Sequence, residues 1–116
     1  LAMGVLYRFF ADREATALDE ELFVIAVAIE DGGDIEALAR ANATTRVTLV
    51  AEDGTVLFDS RSAAQTMGNH LERPEIQQAL ASGLGGSVRR SETLGEQTIY
   101  RAKRLADGSV LRISGT

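Results

Sequence analysis

Arg101 and Lys103 stand two apart in a strand-like run, so both side chains leave the same face. Arg89 and Arg90 lie across an expected hairpin from them, and one of that pair must point the same way, with Arg90 the candidate. Three cations on one face can grip a carboxylate or a phosphate, arginine supplying a two-pronged fork. The same charges also suit an exposed strand that must stay soluble at a sheet edge. Tyr100 faces the other way, toward the core. A second candidate is His70, the only imidazole in the chain, followed closely by Arg73. A histidine titrates near neutrality and can serve as a ligand contact or a pH sensor. Asn69 and His70 can equally cap local backbone and pin a loop to the sheet.

Other constellations carry no chemistry. Asp59-Ser60 with His70 has the residue types of a hydrolytic triad, but the two neighbours point apart in a strand and there is no nucleophile elbow. A short polar turn at a strand end accounts for them. Gly83-Leu84-Gly85-Gly86 lacks the Gly-Lys-Ser/Thr ending of a phosphate loop and follows a helix rather than a strand, so a helix stop and sharp turn is expected. Glu52, Asp53 and Asp107 sit in turns without a calcium-loop spacing. No metal site, cofactor or catalytic residue is expected.

Composition narrows the class further. The chain has 116 residues, one domain's worth, with 45% apolar and 25% charged residues. It has no cysteine, which removes disulfides, thiolate zinc sites and a Cys nucleophile. Net charge is −5 and aromatics are 5%, which argues against nucleic acid as a partner. The charge is uneven: residues 1–58 hold 4 basic and 11 acidic side chains, residues 59–116 hold 8 basic and 6 acidic. A small anionic ligand would therefore sit on the second half.

The elements that must position these residues follow from pattern. Residues 3–30 read as one long helix, without Pro and rich in Ala, Leu and Glu. Leu18, Leu22, Ile25 and Ile29 form one apolar face, while Phe23, Val24 and Val27 lie on another. A helix apolar on two sides must be covered twice, once by its own sheet and once by a second copy of itself. Leu6 and Phe10 continue a weaker stripe in a more charged half that projects beyond the core. Asp34 suits the N-cap of a short helix over Ile35 to Ala41. Strands are expected over 46–51 and 55–59, joined at Asp53-Gly54. A polar loop covers 60–73, then a helix from Pro74 to Ala81 stopped by Gly83. Strands at Ser87–Ser91, Thr98–Leu105 and Ser109–Ser114 complete the chain, with turns around Leu94-Gly95-Glu96 and Ala106-Asp107-Gly108. The expected fold is α+β: a long N-terminal helix packed on a five-stranded, mostly antiparallel sheet spanning about 34–114.

Several stretches carry a resemblance. Arg46 to Ser60, Asn69-His70 with Arg73-Pro74-Glu75, and Tyr100, Ala102, Leu105, Asp107-Gly108 and Val110-Leu111-Arg112 stand in the order of the extracytoplasmic sensor domains of bacterial sensor histidine kinases. The chain resembles the phosphate-regulon type over residues 18–114. The resemblance implies a PAS-like sheet of the PDC or Cache type, held between two membrane spans and followed by kinase domains. On that reading the 116 residues are a single extracytoplasmic loop, excised from a longer membrane protein. The long helix continues from the first span, and a homodimer forms through Phe23, Val24 and Val27. Dicarboxylate-sensing relatives of this fold use a His and an Arg from the loop before the second helix, a place that His70 and Arg73 occupy here. The alternative is an intracellular PAS- or profilin-like interaction module without a ligand.

Overall fold

Three Asp-Gly turns, one Pro and the left-handed Gly83 punctuate the chain, and the elements fall between them. The computed structural model describes residues 2–42, 44–90 and 96–116, with side chains of the first helix described from residue 13. Helix α1 runs Ala2–Glu30, α2 Ile35–Ala41 and α3 Pro74–Ser82; strands are β1 Arg46–Val50, β2 Val56–Asp59, β3 Leu84–Arg90, β4 Gln97–Arg104 and β5 Val110–Gly115. The expected α+β class and the five antiparallel strands are both present. The sheet order is β2-β1-β5-β4-β3, so the last strand enters the middle and joins the two hairpins.

Local chemistry explains the boundaries. Asp34 caps α2 by accepting from the Glu36 amide. Pro74 occupies the first turn of α3, and Gly83, at φ 95°, ends it in the left-handed conformation that only glycine adopts without strain. The stretch after Gly83 is not the turn expected from its glycines. Leu84, Gly85 and Gly86 already belong to β3, pairing with Lys103, Ala102 and Arg101. Gly85 lies under α3, where a Cβ would strike the Glu75 carbonyl oxygen; the glycines bring strand and helix close rather than bend the chain. The turn expected around Leu94-Gly95 falls outside the described residues, as do the side chains of Leu6 and Phe10.

The sheet has two unlike faces. On one, α1 packs over β4 and β5. Leu18, Leu22, Ile25 and Ala26 meet Val47, Ile99, Leu111 and Ile113 in the main apolar core. Leu22 and Ile25 are fully buried, worth about 1.5–3 kcal/mol each against exposure. On the other face, α3 covers a smaller cluster of Val50, Ile76, Ala79, Ala102 and Val110. Beside that cluster the buried groups are polar.

Candidate functional site

The α3 face of the sheet holds a connected buried ion cluster. Glu75 is in the first turn of α3, where a carboxylate suits the helix dipole. Its side chain is fully buried. Arg89 of β3 donates to both of its oxygens, Nη1 to Oε1 at 2.6 Å and Nη2 to Oε2 at 2.9 Å. Arg112 of β5 donates Nη1 to Oε2 at 3.0 Å, and the Ser87 hydroxyl donates to Oε1 at 2.7 Å. Tyr100 stands between the cations, with the Arg89 guanidinium 3.7 Å and the Arg112 guanidinium 4.9 Å from its ring centroid. Tyr100 thus faces the α3 side, half-buried, as a stacking surface rather than a core residue.

The cluster continues across the sheet. Arg112 Nη2 donates to the Thr48 hydroxyl at 3.3 Å, and that hydroxyl donates to Asp59 at 2.7 Å. Asp59 also accepts from Arg46 and from the amides of Arg61 and Ser62. One chain of donors and acceptors therefore runs from α3 through β5 and β1 to the end of β2. Arg112 Nε is buried without a partner.

Electrostatics follow the geometry. Burial pushes the Glu75 carboxyl up, but bonds from Arg89 and Ser87 outweigh it and hold it at about 2. Burial likewise raises Asp59, and Arg46 and Thr48 more than reverse this, leaving it below the usual carboxylate value. Burial lowers Arg112, while the hydrogen bond to Glu75 raises Arg89. Two guanidiniums share one carboxylate, so Glu75 fills the position that an external carboxylate or phosphate would need.

His70 and Arg73 lie on this side, in the loop leading into α3. His70 is buried, its amide donating to Gly54 and its Nδ1 lying 2.8 Å from the Gly68 carbonyl. Asn69 joins the same loop to the β1–β2 turn, donating to the Asp53 carbonyl and accepting from the Leu71 amide. Burial, then the charge of Arg112, lowers the His70 pKa from its ordinary 6.5. Arg73 is exposed, and its carbonyl accepts the first amide bonds of α3.

Arg90, Arg101 and Lys103 lie on the opposite face, because their register partners Gln97, Gly86 and Leu84 alternate with the α3-facing residues. Arg101 is committed to α1: Nε donates to Asp19 Oδ1 at 2.7 Å and Nη2 to Oδ2 at 3.1 Å. The Lys103 ammonium is 5.6 Å from the Phe23 ring centroid. The five candidate residues therefore form two separate groups, one on each side of the sheet. The sequence pattern left out Glu75, Arg112 and Thr48, and of the pair Arg89 and Arg90 it took Arg90 for the site. One signal for them existed: Arg112 interrupts the apolar run Val110-Leu111-Arg112-Ile113, and a charge there needs a buried partner.

No protein-family model and no curated protein matches the chain. Several solved structures do, two of which follow. The extracellular domain of the putative histidine kinase rpHK1S-Z16 aligns at a TM-score of 0.52 and 20% identity, over 72% of this chain and 37% of that one. This chain shares its fold with a histidine kinase extracellular domain. Bacillus subtilis YkuI, a protein with an EAL domain in complex with substrate c-di-GMP and calcium, aligns at a TM-score of 0.58 and 12% identity, over 93% of this chain and 35% of that one. The chain spans about a third of the length of either, so the likeness is to one domain of a larger protein.

Proposed function

We propose that the chain is the extracytoplasmic sensor domain of a membrane-bound histidine kinase. The observation that carries this reading is the fold shared with the rpHK1S-Z16 extracellular domain. Helix α1 supports it: 29 residues span about 43 Å, enough to carry a displacement along the whole domain. Phe23, Val24 and Val27 are 41%, 69% and 67% exposed on that helix. They suit a homodimer in which two parallel α1 helices pack together. A stimulus shifts those helices only as far as it favours one arrangement over the other. The step is a tilt, rotation or slide of packed helices, and phosphoryl transfer belongs to domains beyond this one.

The coding sequence on either side of this segment, with an alkaline phosphatase fusion as topology reporter, tests the reading. Apolar stretches of about 20 residues on both flanks, kinase motifs downstream and an active reporter are expected. Polar flanks or an inactive reporter overturn it. A second reading, an interaction module inside the cell serving another output, is favoured by the match to YkuI, which carries an EAL domain. Polar flanks would select it.

A further inference from the structure

Helix α1 covers β4 and β5 but leaves β3 open at the sheet edge. On that open face Leu84 is 47% and Val88 53% exposed. Gly86 lies between them without a side chain, and a Cβ there would strike the Arg101 guanidinium. The flank of α1 facing this strip carries Phe23, beside Lys103. Together these residues make a groove beside α1: an apolar floor from β3, a wall from α1 and two cations, Arg101 and Lys103, along the line where they meet.

We infer that this groove receives α1 of a second copy of the chain. The occupant's chemistry must match an apolar floor with cations beside it. The exposed side of α1 does so, setting Val24 and Val27 around the exposed carboxylate of Glu20 at helical spacing. Each copy therefore carries both the groove and the helix that fits it, the condition for a two-fold interface in which the same patch is used twice. Val24 points away from its own sheet and lies over the partner's β3, while Phe23 and Val27 meet their counterparts between the helices. Glu20 comes to the Arg101–Lys103 line; Arg101 Nε and Nη2 serve Asp19, while Nη1 lies over Gly86. The two sheets then enclose a central pair of helices.

The parallel direction of the helices rests on the membrane-sensor reading, and it fixes the register. Phe23 stands at the level of Lys103, whose cross-strand neighbour is Leu84. Val24 of one copy therefore faces Leu84 of the other. The test is cysteine crosslinking in the full-length gene product, using two differently tagged copies in the same cells; this segment contributes no cysteine of its own. A Val24→Cys copy and a Leu84→Cys copy are expected to form a mixed crosslinked dimer. Val24→Cys with Leu57→Cys, on the far edge strand, is expected to give none. If Val27→Cys copies crosslink to each other while Val24→Cys and Leu84→Cys do not, the helix seam stands and the groove proposal falls. If neither pair crosslinks, both fall. Equal crosslinking to Leu57→Cys means random collision and also overturns the groove.

Discussion

Glu75 has three charged or hydroxyl partners and no contact with water, so its removal should be among the costliest single changes in the chain. Glu75→Gln leaves the buried Arg112 and the partly exposed Arg89 without their shared carboxylate, and a loss of about 3–5 kcal/mol is expected in urea unfolding. The pH dependence has a definite sign. The folded carboxyl titrates at about 2 against an ordinary 4.5, so its contribution is complete above pH 4.5 and fades as the pH falls toward 2. That contribution is about 3 kcal/mol, and Glu75→Gln should remove it from an acid-unfolding curve. His70 behaves in the same sense for a different reason. Burial and Arg112 favour its neutral ring, so stability is full above pH 6.5 and falls below it as the unfolded chain takes up the proton. The ring resonances in an NMR titration should show a midpoint below 6.5; a midpoint above 6.5 would contradict the burial described for it. Arg112 was detectable from its apolar neighbours, but its partner was not. Glu75 is 37 positions away, beside a proline that explains the helix start without reference to any ion pair.

At the level of elements, most boundaries were legible because short-range chemistry sets them. Asp-Gly turns, Asp34, Pro74 and Gly83 each act within a few residues. The first three residues of β3 were not legible, because Leu84-Gly85-Gly86 has neither strand propensity nor alternation. They are strand because β4 offers a ladder and α3 needs a thin surface beneath it. Gly85→Ala tests this directly. Its methyl would meet the Glu75 carbonyl and the Gln78 side chain, so α3 must lift from the sheet. A loss of about 2 kcal/mol or more is expected in thermal or urea unfolding. Gly68→Ala, in open space, should change stability by only a few tenths of a kcal/mol. Helix α1 was legible as apolar on two sides, but which side meets the sheet was decided only by packing. Leu22 and Ile25 are buried while Val24 and Val27, one and two positions away, are not.

For the whole molecule, the acidic first half and basic second half are joined rather than merely adjacent. Asp19 and Arg101, 82 positions apart, pair across the α1–sheet boundary, and Arg46 pairs with Asp59 within the first hairpin. Strand order was the part of the architecture that no local pattern could supply. β5 lies between β1 and β4, and its pairing with β1 joins residues 60 to 68 positions apart. This has a consequence for synthesis. Until Val110–Gly115 has emerged from the ribosome, the nascent chain holds two unconnected hairpins and a helix without a surface to cover. Contacts of such long range make folding comparatively slow. A ribosome-stalled chain ending at Asp107 should therefore be digested by protease as readily as an unfolded one. Extending the exposed chain by the eight residues that complete the sheet should make it resistant in a single step, so that the domain becomes a folded object only after almost all of it has been made.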